Sequence, residues 1–280
     1  MNKLISVDFH ADFGFLKKPD TNDPMYFTFN MLHKPALLGI LGAVIGAKGF
    51  YDDEKLGKSQ GKGRNATSAY ERGEKPDYYA KLGNIKVGIT PLKSNKGVFI
   101  KDALQYNNGT GFASEEQGGN LIVKEQFLIA PTYRCYIYLE QMDEVETKLR
   151  DYLKKGWAEY LPYLGKNDFS LWWDNFHEYE MQQFEPEADR AFEIKSIFIK
   201  EDVVKDSKVK TIRFNLMSGI DDSKFMYFEN LPIKYDTVLW QYQYESFAFT
   251  NFSMKANYKV DNLFITKSLT SNEQQIIQLF

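Results

Sequence analysis

Cysteine is almost absent from this chain. Cys135 is the sole thiol in 280 residues, and histidine occurs only three times. One thiol excludes an intrachain disulfide and any zinc site needing two or more thiolates, and three imidazoles argue against a histidine-rich metal centre. Long apolar runs are also lacking. The longest, Ala36–Ala47, is about half the length that spans a bilayer. Asp8 and Asp12 interrupt the stretch where a secretory signal would carry its apolar core. The expectation is a cytoplasmic protein with no membrane partner. Nucleotide-binding signatures are missing as well. Leu56-Gly57-Lys58-Ser59 ends like a phosphate-binding loop, but Asp52 stands where the first glycine belongs, and no G-x-G-x-x-G follows the first strand. No metal or cofactor is expected.

What is present is enough for a packed core: 43% hydrophobic residues against 26% charged. Aromatics are abundant, with 22 Phe, 18 Tyr and 4 Trp, which suits β-rich packing or the stacking of nucleic-acid bases. The net charge of −3 argues against a protein that coats nucleic acid indiscriminately, yet that charge is unevenly spread. Lys55–Lys101 holds eleven Lys/Arg against Glu71, Glu74 and Asp77, a net of +8. Glu140–Asp189 holds thirteen Asp/Glu against five Lys/Arg, a net of −8. Each run alone reads equally well as a solvated surface; together they fit a protein that holds a nucleic-acid strand on one side and a basic partner on the other.

Alternation of apolar and polar residues predicts a strand at Leu4–Phe9, and Pro35 opens a helix over Ala36–Ala47 that is apolar on every face and so buried. A hairpin is expected from Asn84–Thr90 with Lys96–Lys101, one or two strands over Leu121–Glu140, and a helix over Asp143–Lys155. Leu161–Asp189 reads as an acidic loop region, with Trp172 and Trp173 anchoring a short surface helix. Beyond Arg190 the pattern is of strands. The order of elements is that of a ferredoxin-like (RRM-like) α+β unit. The expected organisation is a domain over 1–160 with a basic insertion at about 52–120, an acidic loop at 161–189, and a β-rich region at 190–280.

The helix carries Gly39, Gly42 and Gly46 at spacings of three and four. Each glycine costs up to about 1 kcal/mol of helix stability relative to alanine. Either close backbone packing or the approach of an extended ligand must offset that cost. Tight packing on the sheet accounts for Gly42 and Gly46, while Lys34 beside the free N–H groups of the helix start would suit a phosphate.

Several segments together resemble a known family. Phe13-Gly14-Phe15-Leu16-Lys17-Lys18-Pro19-Asp20-Thr21, then Pro24-Met25-Tyr26, then Pro35–Gly46 are similar to the amino-terminal signature of the fifth CRISPR-associated (Cas) protein family. Val123–Arg134 is similar to that family's central strands, and Leu161–Asp168 to its Pro-x-Leu-Gly-x-Ser turn, with Asn167 in place of the serine. The matches span residues 4 to about 170 in the family's order; the last third of the chain carries none. The resemblance implies a RAMP fold with a protruding β-hairpin thumb, a Cascade subunit that binds the crRNA 5′ handle, contacts with the backbone and large subunits, and target DNA met only through the complex.

Phosphate contacts are then expected from Lys17, Lys18, Lys34, Lys48, Lys86, Lys93, Lys96 and Lys101, close backbone approach at Gly39 and Gly42, and base stacking from Phe15, Tyr26 and Phe99. One branch of the family cleaves precursor crRNA without metal. The raw materials here would be His33, Tyr26 and Lys34, though the chain length and the Lys18-Pro19-Asp20-Thr21 loop look more like the type I-B or a related branch, in which a separate endonuclease cuts. A third reading, a glycan- or protein-binding β-rich module, would use Trp172 and Trp173 as its platform.

Overall fold

A computed structural model describes residues 2–21, 24–50, 75–107, 122–187, 189–200, 212–215, 221–256, 258–269 and 274–280. In chain order the elements are β1 (Lys3–Ala11), β2 (Phe13–Gly14), α1 (Lys34–Ile45), α2 (Asp77–Leu82), β3 (Lys86–Leu92), β4 (Lys101–Asn107), β5 (Ile122–Ile129), β6 (Thr132–Leu139), α3 (Glu144–Lys155), β7 (Leu171–Gln183), β8 (Phe198–Ile199), β9 (Met226–Asp236), β10 (Gln241–Thr250), β11 (Leu263–Ser268) and β12 (Gln274–Gln278). Strand outweighs helix, in an α+β arrangement. No helix among the described residues is long and apolar enough to cross a membrane.

Six strands form one sheet in the order β12-β11-β7-β1-β6-β3, every neighbouring pair antiparallel. Ile5, Val7 and Phe9 of β1 point to one face, where they meet Leu37, Leu38, Leu41 and Val44 of α1 and Leu149 and Leu153 of α3 in the main core. On the other face Leu4 and Tyr136 pack against Ile277 and Leu279. The chain after β12 reaches the far edge of the sheet: Phe280 N–H donates to the Val87 carbonyl at 2.9 Å, and Val87 N–H donates back at 3.1 Å. The two edges are thereby joined, which removes backbone groups that would otherwise template unwanted pairing. Two three-stranded sheets, β8-β10-β9 and β2-β5-β4, flank this one.

Local chemistry sets the helix ends. His33 caps α1, its Nδ1 accepting from Ala36 N–H at 3.3 Å, and Pro35 occupies the first turn. Gly46, at φ 78°, closes the helix by donating to Ala43 and Gly42 carbonyls. Asp143 caps α3 in the same way at Glu146 N–H.

Several expectations are corrected. β3 does not pair with Lys96–Lys101. Val87 and Ile89 are buried, and β3 docks beside β6, while Lys101–Asn107 pairs with β5. The left-handed residues Lys93, Lys96 and Gly97 turn the chain between the two strands. Leu171–Gln183 is neither loop nor helix but strand β7, in the main sheet next to β1. Trp172 and Trp173 therefore point to opposite faces. Trp172 is exposed, whereas Trp173 lies edge-on to Phe9 with Nε1 donating to the Leu153 carbonyl, so no two-tryptophan platform forms. Finally, α1 is not buried all round: Ala36, Gly39 and Ala43 are half-buried along one side.

Candidate nucleic-acid interface

The half-buried side of α1 opens on a cleft of about 490 Å³. Its floor is Ala36, Gly39, Ile40 and Ala43; its walls include Tyr78, Tyr160, Tyr163 and Tyr242, with Leu16, Leu164 and Gly165 at one side. Among the described residues lining it, none is Asp, Glu, Lys or Arg. The two interior glycines of the helix have separate jobs. A Cβ at Gly42 would collide with the Cβ of Tyr78, so this glycine lets α2 sit against α1, rather than serving the sheet packing expected for it. A Cβ at Gly39 would meet nothing nearer than Tyr78 Cζ at 4.0 Å, so this glycine keeps the floor of the cleft low instead.

The sequence motifs meet here. Phe15 N–H donates to the Leu164 carbonyl at 3.0 Å, tying Phe13–Thr21 to Leu161–Asp168. Gly165 is left-handed at φ 89°, and any Cβ there would strike the Phe15 carbonyl, so this turn requires glycine. Glu159 and Tyr160 N–H groups donate to the Val44 and Ala43 carbonyls, both at 3.1 Å, holding the Tyr160–Tyr163 wall on the end of α1.

The cationic end of the cleft is the start of α1. Lys34 is half-buried, its Nζ donating to the main-chain oxygen of Phe280 at 3.1 Å. Burial, then the like charges of Lys86 and Lys234, lower its pKa to about 8. Lys34 thus stands at a helix N-terminus, where main-chain N–H groups already favour an anion.

The other expected cations lie elsewhere. Lys17 sits 3.9 Å from the centre of the Tyr26 ring, occupying the face on which a base would have stacked. Lys18 pairs with Glu229 at 3.6 Å, and the same carboxylate raises the pKa of Lys101 against the larger lowering by burial. Lys93 and Lys96 are exposed on the turn after β3, and Lys96 Nζ donates to the Asp222 carbonyl. Lys48 is half-buried, its main-chain N–H bonded to Asp77. Lys55, Lys58, Lys62, Arg64 and Arg72 lie outside the described residues.

Two stacking expectations and the catalytic set are corrected. Phe15 and Phe99 are core residues, 6% and 5% exposed, and Phe99 packs edge-on to Tyr133; neither offers a face to a base. His33 is buried, and desolvation lowers its pKa to about 3. Its Nδ1 is used in capping, and no contact joins Tyr26 to His33 or Lys34 among the described residues. Residues missed from sequence are the four cleft tyrosines and Lys234. Tyr163 lay within a recognised motif; Tyr78 and Tyr242 reach the cleft only through tertiary packing. His10, also missed, pairs with Asp174 at 2.8 Å on the opposite face of the sheet.

Neither a family model nor a curated protein matches the sequence. Among solved structures the chain is similar to a component of a CRISPR RNA-guided surveillance complex, at 10% identity and TM-score 0.45 over 92% of each chain. A CRISPR protein from Archaeoglobus fulgidus gives 13% identity and TM-score 0.45 over 99% of each. A chain of a Type III-B Cmr-beta complex bound to cognate target RNA gives 9% and 0.41 over 98% of each. With TM-scores below 0.5, function has to be argued from the residues.

Proposed function

We propose that this chain is a crRNA-binding subunit of a type I CRISPR interference complex, holding the crRNA 5′ handle in the cleft along α1 and capping the backbone assembly in the cytoplasm. One observation carries the reading: three segments that resemble the family signature meet at one tyrosine-lined cleft whose described lining carries no Asp, Glu, Lys or Arg, with Lys34 beside it at the start of α1. Aromatic faces accept bases without regard to sequence, while ammonium groups and helix N–H donors take the phosphates. The strand order β7-β1-β6-β3, with α1 and α3 as crossovers, supports a ferredoxin-like RAMP unit. The exposed β4, paired with β5, supports a protruding thumb. The backbone and large subunits would be its protein partners, and target DNA would be met through the complex.

The test is salt-dependent binding of a labelled repeat-derived RNA to the full chain. The Lys86→Glu/Lys234→Glu variant should bind at least tenfold more weakly at low salt. Its plot of log affinity against log salt should flatten by about one for each phosphate that no longer meets a lysine. Binding that is unchanged in the variant sinks this reading.

A further inference from the structure

The last third of the chain resembles no part of the family signature, yet it aims one buried carboxylate at the approach to α1. Glu229, on β9, leaves only 8% of its side chain in solvent. Its two oxygens accept from consecutive main-chain N–H groups: Oε1 from Asn30 and Oε2 from Met31, both at 3.0 Å. The Tyr227 hydroxyl hydrogen-bonds to the same carboxylate, and Lys18 Nζ, 3.6 Å away, is its counter-charge. Asn30 is itself buried and held from its other sides. Its Nδ2 donates to the Gly97 carbonyl at 2.8 Å, its Oδ1 accepts from Phe99 N–H at 2.9 Å, and its carbonyl accepts from the Tyr133 hydroxyl.

This fixed pair of residues lies just ahead of the cleft. Two positions beyond Met31, His33 caps α1 and lines the cleft, and Lys34 follows it. On the other side, Phe29 N–H donates to the carbonyl of Leu16, another lining residue, at 2.7 Å. β10, paired with β9, carries Tyr242, a cleft wall whose ring centroid lies 6.1 Å from that of His33. One hairpin therefore supplies a wall of the cleft and also the clamp on the chain that enters its floor.

We propose that Glu229 is a positioning residue for RNA binding: without touching RNA, it holds the Asn30 and Met31 N–H groups and so sets where His33 and Lys34 stand against the Tyr242 wall. The inference rests on the RNA reading of the α1 cleft. Charge alone gives the opposite sign. A carboxylate repels phosphate and keeps Lys18 engaged, so its removal would tighten RNA binding and steepen the salt dependence. Positioning gives a loss. A glutamine at 229 has one acceptor oxygen in place of two, and its amide NH2 meets a main-chain N–H or the Lys18 ammonium, donor against donor.

The test compares the full chain with Glu229→Gln and Glu229→Asp. Anisotropy of a labelled repeat-derived RNA is read at several salt concentrations, and amide exchange is followed in the free proteins. Glutamine removes the charge and keeps the size; aspartate keeps the charge and shortens the reach by a methylene. Both variants should bind RNA at least about fivefold more weakly, at an unchanged slope of log affinity against log salt. Both should also exchange faster at Asn30 and Met31. The inference is overturned if Glu229→Asp binds as the parent does, if Glu229→Gln binds as tightly or with a steeper slope, or if exchange at Asn30 and Met31 is unchanged. Faster exchange spread evenly over the chain with RNA affinity kept, the mark of a merely structural role, overturns it as well. A parent that does not bind the RNA overturns the reading of the cleft and this inference with it; a parent that binds beside variants that bind equally overturns this inference alone. Binding is read where circular dichroism shows each variant folded, and if Glu229→Gln does not fold, Glu229→Asp, which keeps the counter-charge of Lys18, carries the test.

Discussion

The two faces of the main sheet handle charge in opposite ways. On the helix face, Lys34 stands at the start of α1, and burial, with the like charges of Lys86 and Lys234, strips it of part of its proton affinity. On the other face, the bidentate Arg134–Asp8 pair, with Asn175 Nδ2 donating to the same carboxylate, cancels its own charge and leaves Asp174 facing solvent. An ammonium group at a helix start keeps further donors for an anion. Positive charge neutralised inside the sheet holds strands together. The difference teaches that local pairing, more than the net charge of a segment, separates a binding cation from a structural one.

Removing the structural cation should have the largest effect. Arg134→Met leaves Asp8, 2% exposed, without its counter-charge. Loss of one partner of such a pair costs about 3–5 kcal/mol, read as a lower urea midpoint at unchanged slope. A midpoint within error of the parent would mean that the two faces do not differ in this way.

On the helix face the two interior glycines should move stability in opposite directions. Gly42→Ala forces Tyr78 and α2 away and should cost about 1–3 kcal/mol. Gly39→Ala meets open space and should stabilise by up to about 1 kcal/mol, while raising the cleft floor and weakening RNA binding. Equal effects of the two substitutions on the melting temperature would refute the division of labour.

Acid should act through the helix cap. The pKa of His33 is held at about 3 in the fold against 6.5 unfolded. The unfolded chain therefore binds the proton first as pH falls. Stability contributed by the neutral form is fully present above 6.5 and is lost between 6.5 and about 3, at about 1.4 kcal/mol per pH unit. His33→Asn keeps a cap acceptor and should remove that slope from urea titrations run across the window; a slope that persists assigns the acid sensitivity to other groups.

The parts of the fold that were legible in sequence are those with a single local cause. β1 shows its alternation, α1 its Pro35 start and Gly46 stop, and α3 its Asp143 cap and apolar stripe. β7 was hidden because its alternation is broken. Asn175 stands at φ 52°, and the register with β1 shifts between Ser6 and Asp8, so Trp172, Trp173, Phe176 and Tyr179 fall at spacings that mimic a helix. The partner of β3 was invisible for another reason: its pairing with β6 begins at Leu92 and Thr132, and a partner so far along the chain leaves no mark in a local pattern. At the site, the glycine helix and the Leu161–Asp168 turn were readable, yet not that they touch. The lysines were readable as a basic run, but Glu229 and the Phe280 main chain decide which of them are committed, and both lie far along the chain.

The central claim is that RNA lies along α1 and not on the opposite face of the sheet. The direct measurement is ultraviolet cross-linking of a repeat-derived RNA to the full chain, followed by mass spectrometry of the linked peptides. Cross-links at Tyr78, Tyr160, Tyr163 or Tyr242 are predicted. Cross-links confined to Trp172 and its neighbours on β7 would contradict the account.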